Sequence, residues 1–197
     1  MSNIIVIRHL GGCGGCFIGS LLRIACDNKD PIKNGIDKIC EYGSCHFVDR
    51  ELFLIKDDNS DTDVEYLNLF LDNLNKDSST TYIYVTHVKE IIRISNNVDK
   101  IINLYGEIDD AKDIGKVFSI KNTLDFNIDM NESISYITNN IKNYTRIEKE
   151  NLLNISWKEM LYKDLNILIP ELEAFTGIGN ISYDFFKEWR KRTISIL

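Results

Sequence analysis

Arg8 and His9 close a short apolar run, Ile4-Ile5-Val6-Ile7, and a glycine cluster follows at once: Gly11-Gly12-Cys13-Gly14-Gly15-Cys16. Glycine reaches positive φ and lets a ligand approach the main chain. The next residues, Phe17-Ile18-Gly19-Ser20-Leu21-Leu22, read as a helix start, where unpaired N–H groups and a partial positive charge gather. A strand, a glycine turn and a helix N-terminus together suit a phosphate or sulfate group. The candidate contacts are Arg8 and residues Gly11, Gly12, Cys13, Gly14, Gly15 and Cys16. A tight strand-to-helix turn without a ligand would use some of the same glycines, but four in six positions exceed its needs. His87 ends a second apolar run, Tyr82-Ile83-Tyr84-Val85-Thr86. His9 and His87 are candidate acid-base groups; the duller role for each is to satisfy carbonyls at a strand end. Cys13 and Cys16 form a C-x-x-C at a helix start, where thiolates are stabilised. With Cys40, Cys45 and His46 they make only an irregular zinc pattern, so no metal is expected. Cys26 and Cys40 read as small thiols filling packed positions.

These residues need a scaffold. Four segments read as strands buried on both faces: Asn3-Ile7, Tyr82-Thr86, Lys100-Leu104 and Leu152-Ser156. A fifth, His46-Leu54, reads ambiguously as an edge hairpin or a helix. Helical spacing marks Cys16-Cys26, Thr62-Leu74 with Asp61 or Thr62 as N-cap, Asp109-Ile120, Glu132-Tyr144, Leu165-Phe175 ended by Gly177, and Tyr183-Arg192. Alternating strands and helices predict a single three-layer α/β domain over residues 1–197, with a mainly parallel sheet and a P-loop-like first turn. Ligands in such sheets sit beyond the carboxyl ends of the strands, here at Arg8-His9, Thr86-His87, Tyr105-Gly106 and Trp157.

Composition bounds the partners. The chain has 197 residues, 44 % of them hydrophobic and 27 % charged, with a net charge of −7. That acidic balance argues against a nucleic-acid binder, although a small phosphorylated ligand needs only a local nest of donors. No apolar run approaches the roughly 18 residues of a membrane span, and the apolar start is too short for a secretory signal. With an odd number of cysteines and no signal, a reducing cytoplasm is the expected location. Heavy use of Asn, Ile and Lys fits an AT-rich genome, such as that of a virus or an AT-rich bacterium.

The order of elements resembles the sulfotransferase family, a P-loop-like α/β fold that uses 3′-phosphoadenosine 5′-phosphosulfate. Cys13-Gly14-Gly15-Cys16-Phe17-Ile18 is similar in position to that family's P-K-S-G-T-T-W-L loop, and Tyr82-Ile83-Tyr84-Val85-Thr86-His87-Val88 resembles its K-T-H-L segment. Asp99-Lys100-Ile101-Ile102-Asn103-Leu104-Tyr105 resembles the strand carrying R-N-P-x-D. Leu153-Asn154-Ile155-Ser156-Trp157-Lys158-Glu159-Met160-Leu161 and Leu172-Glu173-Ala174-Phe175-Thr176-Gly177 resemble its closing strand, Y-E-D-L segment and F-L-G helix. The likeness covers most of the chain outside roughly residues 28–78. It implies a phosphorylated adenosine donor at Gly11–Cys16 and sulfuryl transfer to a hydroxyl or amine, with His87 as the base.

The chain departs from the family at three places. The loop lysine falls on Gly12, the arginine before N-P near Gly106, and the serine of the next helix near Gly115. Losing two cations removes much of the electrostatic stabilisation such a transfer needs. Lys112, Lys116 and the run Arg190-Lys191-Arg192 are the available substitutes. The departures favour the alternative of a non-catalytic scaffold, for example a viral assembly protein, with a partner patch near Trp189, Phe185, Phe186 and Tyr183. Gly14 to Gly19 has the glycine spacing of a Walker A loop, but Ser20 follows directly with no lysine, which weighs against that type of ATPase or kinase. Val6-Ile7-Arg8-His9 also resembles the L-V-R-H-G signature of histidine phosphatases, which would make His9 a nucleophile and Arg8 a phosphate clamp. Leu10 in place of the signature glycine, and about 110 residues after His87, weigh against it.

Overall fold

The computed structural model describes residues 3–26, 64–73, 81–94, 98–126 and 129–197. Strand β1 (Asn3–His9) is an inner strand of a four-stranded parallel sheet. Its Ile4, Ile5, Val6 and Ile7 are fully buried, as in a strand covered on both faces. On one side lies β2 (Thr81–Thr86), on the other β3 (Lys100–Tyr105), and beyond that β4 (Leu152–Ser156). The order is β2-β1-β3-β4. Register sets Arg8 opposite both Thr86 and Asn103, and Asn103 opposite Asn154. Parallel pairing brings all four carboxyl ends to one edge.

Alternation along β1 divides the interior. Ile5 and Ile7 pack with α1 (Gly15–Cys26) and α3 (Ala111–Phe126) through Phe17, Ile18 and Ile114. Ile4 and Val6 face the other way, against Val64, Leu67 and Leu71 of α2 (Val64–Asn73). The first layer continues through α4 (Met130–Asn140), α5 (Trp157–Tyr162), α6 (Leu165–Thr176) and α7 (Tyr183–Ile196). α7 docks on α1 by aromatic stacking: the Phe17 and Trp189 rings lie 4.4 Å apart and 7° from parallel.

All four expected strands form, in an all-parallel sheet. The helix readings shift at their ends for local reasons. Asp129 caps α4 by accepting from Asn131 N and Glu132 N, at 2.6 and 2.9 Å, so the helix starts earlier than its apolar face suggests. It ends at Asn140; a 3-10 turn over Ile141–Asn143 follows, leaving Tyr144 outside the helix and buried. α5 is an element the spacing analysis missed. Ser156 accepts from Glu159 N at 3.1 Å while Glu159 accepts from Ser156 N at 2.8 Å, a capping box that starts a helix straight out of β4. The ambiguous segment at 46–54, the caps at 61 and 62, and Cys40, Cys45 and His46 lie outside the described residues. Among the described residues, no helix is long and apolar enough to cross a membrane.

Candidate functional site

Adjacent residues of a strand face opposite ways, so Arg8 and His9 part company at the end of β1. His9 turns to the α1 side, 4 % exposed, with Nδ1 3.0 Å from the Leu10 carbonyl oxygen. Its ring packs on the first residue of α1: a Cβ built on Gly15 would stand 2.0 Å from His9 Cδ2. His87, just past β2, brings its ring centroid to 4.2 Å from that of His9, with Nδ1 2.8 Å from the His9 carbonyl oxygen. A carbonyl oxygen only accepts, so each ring carries a proton on Nδ1. His9, His87 and the start of α1 are thereby brought together from positions far apart in the chain.

The glycine turn leads into this site. Gly12 and Gly14 adopt φ of 84° and 83°, a region that L side chains avoid. Cys13 N donates to Leu10 O and Ile18 N to Gly14 O, both at 3.0 Å, so Gly14 is the residue from which α1 departs. The inner side of the turn is filled by the chain itself. A Cβ on Gly11 would meet the Phe118 ring at 2.4 Å, one on Gly12 the Ile114 carbonyl oxygen at 2.7 Å, and one on Gly14 Trp189 at 3.0 Å. The outer rim is more open: Gly12, Gly14 and Cys16 are half-buried, while Gly11, Cys13 and Gly15 are buried.

Arg8 lies on the opposite face, fully buried. Its Nε donates to Val88 O at 2.9 Å, Nη2 to Lys89 O at 2.7 Å and to Asn143 O, and Nη1 to Asn103 Oδ1 at 2.8 Å. Asn103 in turn donates to Asn154 Oδ1 at 2.8 Å and to Thr145 O at 2.9 Å. The guanidinium also stacks on the Tyr144 ring, 4.3 Å from its centroid. Desolvation by burial lowers its pKa to about 10, which leaves it charged at neutral pH among neutral acceptors. It therefore serves the chain's own carbonyls. Asn103, Tyr144 and Asn154 were not singled out from the sequence as partners of Arg8. The available signal was an asparagine at the same register of two otherwise apolar strands.

Other candidates are drawn into packing. Cys13 is buried, and burial followed by the field of Asp110 pushes its thiol pKa well up, so it stays protonated. Gly106 and Gly115, where the sulfotransferase pattern carries arginine and serine, are close-packing points. A Cβ would meet Ile114 Cδ1 at 2.5 Å and Ile134 Cα at 2.7 Å, respectively. Lys116 bonds to Leu197 O at 3.0 Å and Asp113 at 3.3 Å. Arg190 closes the end of α5 on the carbonyls of Met160 (2.7 Å), Lys163 (2.6 Å) and Glu159 (3.1 Å), and Arg192 pairs with Glu188 at 2.7 Å. Phe185, Phe186 and Trp189, offered by the sequence as a partner patch, are core residues; of that set Tyr183 is exposed. Among the described residues, no group of three or more His, Cys, Asp or Glu side chains is placed to hold a metal ion.

No family model, curated protein or solved structure matches the chain.

Proposed function

We propose that the chain binds a small phosphorylated ligand of the 3′-phosphoadenosine class at the Gly11–Cys16 turn, with His87 as a base beside it. The observation that carries this reading is the meeting of three features at the carboxyl end of the inner strand β1. These are a turn with two left-handed glycines, the N-terminus of a 12-residue helix, and a stacked histidine pair whose Nδ1 atoms both face carbonyl oxygens. The first turn of α1 presents main-chain N–H groups that have no preceding helical carbonyl to bond, the usual seat of a phosphate. His87 Nε2 would take the proton of an acceptor hydroxyl or amine.

The residues fit phosphate binding better than they fit rapid transfer. A bound 3′-phosphoadenosine 5′-phosphosulfate would supply an activated sulfuryl group. The cations that would stabilise its transfer are replaced by Gly12 and Gly106, and Arg8 is spent on carbonyls. Selective binding with slow turnover is the expected behaviour. Calorimetry with 3′-phosphoadenosine 5′-phosphate, against ATP and inorganic phosphate, tests the binding. An acceptor screen with His87→Ala tests the base, and unchanged turnover in that variant eliminates it.

A second reading, a non-catalytic scaffold, is favoured by the packed inner side of the glycine turn. Under it the glycines serve the approach of Phe118, Ile114, Trp189 and His9, and no phosphorylated ligand binds. The partner face of α7 would then be the exposed stripe Tyr183, Lys187, Lys191 and Ile194, spaced at helical intervals.

A further inference from the structure

We infer that Tyr144 and Arg8 are positioning residues for His87, an inference that rests on the proposed role of His87 as the base. Three consecutive main-chain carbonyls after β2 are held by these two side chains. Tyr144 Oη donates to His87 O, Arg8 Nε to Val88 O at 2.9 Å, and Arg8 Nη2 to Lys89 O at 2.7 Å. Val88 N is held as well, donating to Thr86 Oγ1 at 3.2 Å. The two clamping side chains stack on one another at 4.3 Å.

Behind the clamp runs a polar row at a single register of the sheet, Thr86, Arg8, Asn103 and Asn154. Arg8 to Asn103 and Asn103 to Asn154 are both 2.8 Å bonds, and Asn154 is anchored by accepting from Ile147 N at 3.1 Å and donating to Ile147 O at 2.7 Å. Loop carbonyls past a strand end ordinarily bond to water. Here a fully buried cation, bonded among the described residues to carbonyls and an amide, is kept to hold them despite its desolvation cost. The consequence falls on the imidazole. With its own carbonyl pinned from the Arg8 face, His87 presents Nδ1 to His9 O at 2.8 Å, which fixes both ring orientation and tautomer. A base must be held to a fraction of an ångström, and this clamp meets that requirement.

The test reads the tautomer directly. In full-length chain labelled with 15N at histidine, two-bond spectra in mildly alkaline buffer distinguish Nδ1–H from Nε2–H at His87. Tyr144→Phe keeps the ring under Arg8 and deletes only the donor. The Nδ1–H form should dominate in the unsubstituted chain, and its ratio to Nε2–H should fall about fivefold in Tyr144→Phe, the population equivalent of one net hydrogen bond. Ile141→Val, a buried change in the same segment that touches none of these bonds, should leave the ratio unchanged. An unchanged ratio in Tyr144→Phe overturns the inference, as does an equal fall in Ile141→Val. If Tyr144→Phe does not fold, Asn154→Ser loosens the row one step further away, and a smaller fall is expected; no fall overturns the inference. Calorimetry with 3′-phosphoadenosine 5′-phosphate on the same samples separates the two claims. No binding by the unsubstituted chain defeats the proposed ligand site, whereas the tautomer ratio decides the positioning.

Discussion

Two neighbouring residues, Arg8 and His9, end the same strand in opposite conditions. On the Arg8 face the described residues give the guanidinium four hydrogen bonds, to three main-chain carbonyls and one side-chain amide, with the Tyr144 ring stacked on it and a row of amides behind. On the His9 face the histidine pair meets a helix start and a half-buried glycine rim. The contrast teaches that two adjacent residues at one strand end can be committed to different tasks, one to closing loop carbonyls and the other to a histidine pair packed on a helix start. It also shows that the residue most suggestive of anion chemistry in the sequence, the arginine, is the one committed to structure.

The comparison breaks most sharply at Arg8. Arg8→Met orphans the carbonyls of Val88, Lys89 and Asn143 and should cost about 3 kcal/mol or more in urea unfolding. A loss under 1 kcal/mol, on the order of a single hydrogen bond, would mean the clamp is ornamental.

Gly15→Ala probes the other face. Its φ is ordinary, so the cost comes from a Cβ 2.0 Å from the His9 ring and should be about 1–2 kcal/mol. His9→Ala should relieve most of that penalty in a double-mutant cycle; additive effects would show that the ring does not pack on the helix start.

Alkaline titration separates the faces by sign. The buried Cys13 thiol keeps its proton above the ordinary 9.0 at which the unfolded chain releases it. Stability should therefore fall by up to about 1.4 kcal/mol per pH unit above that value, and Cys13→Ala should flatten the fall. Arg8 acts oppositely and later: above about 10 the native guanidinium loses its proton while the unfolded one keeps it, so its contribution rises with pH. An identical slope in Cys13→Ala removes the thiol from the explanation. The smallest effect belongs to Gly179→Ala. A Cβ there meets nothing within 4 Å, and a change within about 0.5 kcal/mol is expected by the same urea assay.

Much of the sheet was legible because its strands are short, nearly continuous runs of Ile, Val, Leu and Tyr, and runs covered on both faces look like that. Ser156-Trp157-Lys158-Glu159 carried a readable capping signal for α5, overlooked because the residues before it already read as a strand. The fate of Arg8 was not legible. Its partners are 80 to 135 residues away, and nothing local distinguishes an arginine that closes loops from one that binds phosphate. The glycines were legible as special positions but not in purpose. Two need positive φ, whereas Gly11 and Gly15 are required by rings that arrive from α3 and β1. The same long-range packing turned Phe185, Phe186 and Trp189 from surface candidates into core.

The most direct measurement is a backbone amide map of the 15N-labelled chain as 3′-phosphoadenosine 5′-phosphate is added. If the His9 face is the ligand site, the largest shifts fall on Gly12, Gly14, Gly15, Cys16 and Phe17, with a smaller response at His87 and saturation at micromolar ligand. Unmoved amides across that turn at saturating ligand, whether or not shifts occur elsewhere, would contradict it and leave the glycines as packing devices alone.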